Sequence, residues 1–461
     1  MIRSLVLVLA LISSLALKAG TPAERAAAPQ SQASQTAAPP PAKAHTAEEL
    51  VALADEVTRQ VEALRGWTFK QPIKKQLTSP AEVRQYLEQQ AARSLSGERG
   101  PRVQALLRTI GLIPPTMELK TTWLTLLESQ VAGFYDPDTK TMHLVSRDGL
   151  PPFIERITLA HELTHALDDQ YVDLQGFTKA RENKSEDLDL TTESVVEGSA
   201  TALMVQYAAR AMLSGAADPK ALQAYGEQEA SRNKAFLDAP RYFTAMLASY
   251  LCGMQFLARG QLLSLLLAAD DRAIGDALVA ARKDPPDSTE QILHPEKYWD
   301  PAKRDRPVVI DDAAAEKWLA KPGRWIVGMD TIGEMLTAIL TSPPGTSVNL
   351  QNLQSDAWTN TAATGWGGDR FYLLASGGNA QAARAGLKEV KGVWVTAWDT
   401  TRDRDEFLEA LPKGSLASGA AADPAGDLVA VVYFGIDQAE RSELTARLRD
   451  RPLPMTQAGA R

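Results

Sequence analysis

Polar and apolar positions alternate with different periods along this chain, and the changes of period divide it. From Thr46 onward, Leu50, Val51, Leu53, Val57 and Val61 recur at helical spacing. Ser79-Pro80-Ala81-Glu82 is a helix start, with proline at the first helical position and glutamate at the third. A further helix is predicted over Pro101 to Ile110, so residues 46–115 read as a small helical lobe, either a prosegment or a permanent part of the fold. Two short apolar runs, Val131 to Tyr135 and Met142 to Val145, flank Asp136-Pro137-Asp138-Thr139-Lys140, which is turn chemistry and predicts a β-hairpin. Pro151-Pro152 then opens a helix through about Gln170. The polar stretch Gly176 to Asp187 reads as a loop, and a second helix follows from about Asp189 to Met212. Helices are predicted through 220–283, then a break at Asp284-Pro285-Pro286-Asp287 and another helix from about Asp330 to Leu340.

After Ser342-Pro343-Pro344-Gly345 the character changes. Arg370 to Ala375, Val393 to Trp398 and Leu428 to Phe434 read as strands; Asp405 to Leu411 and Gln438 to Leu448 read as helices. The expected class is α+β, predominantly helical. Its segments are 46–115, 116–341 with a hairpin or small sheet, a C-terminal α+β unit over 342–450, and a tail over 451–461.

The first 45 residues have a different character. Arg3, an apolar run from Leu5 to Leu17, and then Lys18-Ala19-Gly20 predict a secretory signal peptide over residues 1–19. Residues 20–45, rich in Ala, Pro, Gln and Ser, predict a flexible tether. Export, to a periplasmic or extracellular location, is the expectation. The other long apolar stretch, Phe243 to Ala269, contains Gln255, Arg259 and Gln261. A charge at that depth is costly in a bilayer, so a buried core helix is expected and no membrane span in the mature chain.

Composition narrows the chemistry. The 461 residues carry a formal charge of −8, with 49 Lys+Arg against 57 Asp+Glu, which argues against a nucleic-acid-binding surface. Cys252 is the single cysteine, so a disulfide framework or a Cys-rich zinc finger is excluded. There are five histidines, and two fall in His161-Glu162-Leu163-Thr164-His165. Two imidazoles at i and i+4 share one face of a helix and can both reach one ion, while the glutamate beside them can take a proton from water that zinc has acidified. Around the same helix Ile154, Ile157, His161, His165 and Asp168 fall on one face and Leu159, Leu163 and Leu167 on another, the mark of a buried helix.

A catalytic zinc needs a third protein ligand. The next helix offers Glu193 and Glu197, again i and i+4; Glu197 is favoured, and Glu193 is either the ligand itself or a supporting acceptor. Gly198, Ser199 and Ala200 are small and predict a close approach to the histidine helix. Asp168 and Asp169, one turn beyond His165, are the local candidates to orient the imidazoles. Met142 to Val145 is the expected edge that takes an extended peptide by strand addition, with His143 an ordinary strand residue.

These motifs resemble those of the gluzincin-type, thermolysin-like zinc metallopeptidases, in His161-Glu162-x-x-His165 and a downstream Glu197-Gly198, with 31 residues between His165 and Glu197. The chain also resembles a set of secreted bacterial proteins over roughly residues 100–440. That likeness rests on His161 through Gln170, Val196 through Thr201, Ser288 through Tyr298, and Gly365-Trp366-Gly367-Gly368-Asp369-Arg370. The resemblance implies a zincin-like catalytic domain over 116–341, a Zn2+ cofactor, a peptide or protein substrate, Glu162 as general base, and a His or Tyr that steadies the oxyanion. His294 and Tyr298 fit that last role by residue type. The competing reading is an inactive cell-envelope binding or scaffold protein on a peptidase-like fold.

Overall fold

The computed structural model describes residues 45–128, 133–145, 150–217, 238–346 and 355–457. The expected signal peptide, nearly all of the tether, and the segment 218–237 within the expected helices lie outside the described residues. The class is α+β and mainly helical.

Helix α1 (Ala47–Arg65) starts at a capping box formed by Thr46 and Glu49 and stops at Gly66, whose φ of 70° suits glycine. Its periodic residues Leu50, Val57 and Val61 are buried. Strand β1 (Lys74–Leu77) follows. Helix α2 (Pro80–Ser94) has the capping box its sequence predicts, formed by Ser79 and Glu82. Helices α3 (Arg99–Ile110) and α4 (Leu119–Glu128) complete the lobe.

The predicted hairpin is β2 (Gly133–Asp136) and β3 (Thr141–Leu144). Asp136 holds its turn by accepting from the Asp138 N–H (3.0 Å) and the Thr139 hydroxyl (2.7 Å). β3 pairs antiparallel with β2 and parallel with β1, in the order β1-β3-β2. The expected peptide-binding edge at Met142–Val145 is therefore the central strand, with both of its hydrogen-bonding sides taken. Among the described residues, β2 is the edge strand on this side of the sheet.

Helix α5 (Pro152–Val172) carries the His-Glu-x-x-His motif and is buried almost all round, as its pattern predicts. It ends at Asp173 in the left-handed region (φ 51°), whose carboxylate caps Gly176 and starts α6 (Leu174–Arg181) where a loop was expected. One Asx side chain thus replaces the loop with a helix-to-helix corner. Helix α7 (Glu186–Leu213) is capped by Ser185. Helix α8 (Arg241–Leu257) is buried over nearly its whole length. Arg259 and Gly260, with φ of 53° and 75°, break the apolar stretch before α9 (Leu262–Leu267). Among the described residues no helix is long and apolar enough to cross a membrane. Helices α10 (Arg272–Lys283), α11 (Thr289–Leu293) and α12 (Glu296–Trp299) complete the helical body.

The C-terminal unit begins earlier than the predicted boundary at 342. After β4 (Val308–Ile310) and α13 (Asp312–Leu319), strand β5 (Arg324–Asp330) is the first of a five-stranded antiparallel sheet. Helix α14 (Gly333–Thr341) follows it. The other strands are β6 (Trp366–Ser376), β7 (Lys388–Trp398), β8 (Ala421–Pro424) and β9 (Val429–Phe434), in the order β5-β6-β7-β9-β8. Both faces of this sheet are covered. Phe371, Leu373 and Trp394 pack into the main core, while Tyr372, Leu374 and Val393 pack against Trp318 and Leu444 in a second one. Helices α15 (Ala380–Gly386), α16 (Thr401–Ala410) and α17 (Gln438–Asp450) connect or cover its strands. The predicted tail contains β10 (Met455–Gln457), which pairs antiparallel with β4.

Candidate metal centre

α5 and α7 cross so that three donors meet. His161 Nε2 lies 3.1 Å from His165 Nε2 and 3.2 Å from Glu197 Oε2, and His165 Nε2 lies 3.4 Å from that same oxygen. Ligands about 2.0 Å from one tetrahedral zinc stand about 3.3 Å from each other. The three distances fit that spacing. His165 Nδ1 and Glu197 Oε1 are buried with no hydrogen-bond partner among the described residues. The Tyr250 ring lies nearly parallel to His161, 5.8 Å away, and closes its far side.

The local field favours a cation. Burial pushes the Glu197 carboxyl up, but the two imidazoles outweigh it and hold it at about 2. Burial pushes the His165 imidazole down, yet Glu197 more than offsets this and lifts it to about 9. Burial keeps His161 low. This set of two nitrogens and one carboxylate oxygen suits a divalent zinc ion.

Glu162 is beside the triad. Burial pushes its carboxyl up to about 7, while His165 and the Tyr135 backbone N–H oppose that rise; the N–H donates to Glu162 Oε2 at 3.0 Å. The contact puts edge strand β2 directly over the motif. A cavity of about 130 Å3 opens there, with Glu162, His165 and Glu197 in its wall. Its apolar side is built by Val103, Leu119, Trp123, Phe134 and Val196, and its acidic side by Glu186, Asp189 and Glu193. Glu193 is thus a wall residue one turn before Glu197, outside the three-donor set.

Four sequence expectations change. Asp168 does not bond an imidazole: Oδ2 accepts from Ser199 Oγ (2.6 Å) and Arg65 Nη2 (3.3 Å). Asp169 accepts from the Tyr135 hydroxyl (2.7 Å) and Lys140 Nζ (2.6 Å), and so clamps the hairpin onto α5. Gly198 faces α8 instead of the histidine helix, where an added Cβ would stand 2.1 Å from the Gly253 carbonyl carbon. His294 and Tyr298 are not brought to the cavity. His294 Nε2 pairs with buried Glu334 (2.9 Å), and the Tyr298 hydroxyl donates to the Asp284 carbonyl. His294 is the C-cap of α11, and Pro295 starts the four-residue α12 that carries Tyr298, so the two side chains belong to separate short helices.

The two remaining motifs form a buried joint. Thr289 donates its N–H (3.0 Å) and hydroxyl (2.5 Å) to Asp187, in the first turn of α7. The Met335 N–H donates to the same hydroxyl (3.2 Å). Asp369 accepts from the N–H groups of Ile332 (2.9 Å) and Gly333 (2.8 Å), which start α14, and from Trp366 Nε1 (2.9 Å). The second acidic cluster, Glu290, Asp305 and Asp399, is filled by the Lys297 ammonium at 2.6, 3.1 and 2.9 Å. Arg65 had no signal in the sequence beyond its place at a helix end, and it is fully buried behind the triad.

The site brings three donors from two helices together beside a further carboxylate, a grouping that could hold a metal ion. A family model described as a domain of unknown function (DUF8575) matches residues 323–444, which is the C-terminal sheet unit from β5 into α17. No curated protein and no solved structure matches the chain.

Proposed function

We propose that this chain is an exported zinc-dependent peptidase with a zincin-like catalytic domain. The observation that carries the reading is the convergence of His161 Nε2, His165 Nε2 and Glu197 Oε2 at 3.1–3.4 Å, with Glu162 in the wall of the same cavity. His161, His165 and Glu197 would hold the zinc. Bound there, the ion would supply Lewis-acid polarisation of a carbonyl and acidify a water molecule. Glu162, beside the triad and fixed by the Tyr135 N–H on its Oε2, takes the proton of the attacking water and passes it to the leaving amine. Edge strand β2, not the central β3, receives the substrate backbone by strand addition. The N-terminal apolar run supports export.

Glu162→Gln tests this. The variant should keep one zinc per chain and lose peptide hydrolysis by at least about a hundredfold, and a chelator should abolish hydrolysis by the parent protein. A purified chain that carries no zinc, or a zinc-loaded chain inert on a broad peptide mixture, would favour the scaffold alternative.

A further inference from the structure

Arg65 closes α1 and is fully buried. Its Nη2 bonds Ser199 Oγ at 2.9 Å and lies 3.3 Å from Asp168 Oδ2, and its Nη1 lies 2.9 Å from Asp271 Oδ2. Ser199 Oγ in turn donates to Asp168 Oδ2. Asp168 stands one turn beyond His165 on α5, and Ser199 two residues beyond Glu197 on α7. Asp271 leads into α10, and its N–H donates to the Leu64 carbonyl at 2.8 Å. One guanidinium from α1 therefore meets side chains from both ligand-bearing helices and from the residue that starts a third. Among the described residues no other cation forms an ion pair with Asp168 or Asp271. The socket has no slack. A Cβ on Gly275 would stand 2.9 Å from the Trp67 ring and 3.2 Å from the Arg65 side chain.

A guanidinium is a planar fork with fixed donor directions, so it sets where its partners lie as well as their charge. We infer that Arg65 is a positioning residue that locks the histidine helix against the Glu197 helix, and that the N-terminal lobe is a permanent part of the enzyme, not a removable prosegment. This rests on the zinc-peptidase reading. The lobe has a second share in the site, because Tyr86, Leu95 and Val103 wall the cavity. Cutting it away would leave two buried carboxylates without their countercharge, an arrangement proteins avoid.

The test measures zinc affinity by chelator competition on the full chain, alongside circular dichroism and Tm. Arg65→Lys keeps the charge and loses the fork; it should fold and bind zinc about 10- to 100-fold more weakly. Arg65→Met alone risks misfolding. The triple variant Arg65→Met/Asp168→Asn/Asp271→Asn removes the whole charged cluster, and such replacements are often neutral for stability. It should fold with a Tm close to wild type and share the loss of zinc affinity. Wild-type affinity in either folded variant overturns the positioning role. An active, zinc-loaded form whose intact mass shows a start after residue 65 overturns the permanence of the lobe. A wild-type chain that binds no zinc removes the underlying peptidase reading instead, whatever the variants do.

Discussion

Gly198→Ala is the sharpest probe of how the third donor is held. Gly198 and Gly253 meet backbone to backbone where α7 crosses α8, and the new Cβ would stand 2.1 Å from the Gly253 carbonyl carbon and 2.5 Å from its oxygen. Reaching ordinary contact requires the helices to part by about 1.3 Å, and a close-packed interior resists such a shift. Glu197 is the adjacent residue and moves with the helix. Its distances to the two imidazoles, 3.2 and 3.4 Å, would then depart from the spacing of about 3.3 Å that one tetrahedral ion requires. Overpacking costs about 1–3 kcal/mol, and alanine in place of a mid-helix glycine returns about 1 kcal/mol. The expected net loss is therefore up to about 2 kcal/mol, read as a Tm lower by up to about two degrees. Zinc affinity by chelator competition should fall at least about tenfold. Gly386→Ala, whose Cβ meets only ordinary contacts, is the control and should change neither. A Gly198→Ala protein with parental Tm and zinc affinity would refute the argument that this crossing sets the position of Glu197.

His294→Ala should leave kcat unchanged and lower Tm, because Glu334 is fully buried and loses a charge-assisted partner, at a cost of about 1–3 kcal/mol; a large drop in kcat at unchanged Tm would return His294 to the chemistry. Asp369→Ala removes an acceptor shared by two helix-start N–H groups and an indole, and should destabilise by several times about 1 kcal/mol in denaturant titration. Burial lifts the Asp187 carboxyl to about 7, well above its unfolded value, so the native state binds the extra proton and stability falls as pH rises toward 7. Asp187→Asn lacks that dependence, so its stability relative to the parent should improve by about 2 kcal/mol between pH 5 and pH 8; a pH-independent difference would count against this.

Periodicity and caps made most helices legible, because α1, α2 and α5 declare themselves through local side chains. The His-Glu-x-x-His face and Glu197 were equally readable, since i and i+4 spacing is itself geometry. What the sequence hid was long-range. Strand order made β3 central, although hairpin chemistry cannot reveal that β1, over fifty residues upstream, pairs with it. Gly198 faces α8 because a second glycine, Gly253, lies opposite, and one small residue in a sequence does not name its partner. The Asp173 corner was missed because a single Asx side chain restarts a helix within a polar run. Asp168 was drawn away from the imidazoles by a guanidinium a hundred residues distant. His294 and Tyr298 matched the oxyanion role in residue type, but Glu334 and the Asp284 carbonyl, both distant in sequence, take their polar atoms.

The joint at Asp187, Thr289 and Gly333 has a bearing on how the gene can be trimmed. One end of α7 is moored to the sheet unit, and its middle, about 15 Å along, presents the third donor. A shortened product stopping near residue 300 would keep Thr289 on Asp187 but strip the bonds that Glu186 and Asp187 donate to Asp330 and Thr331, while leaving every ligand in place. Such a fragment would keep all the letters of the motif and lose the leverage that aims Glu197.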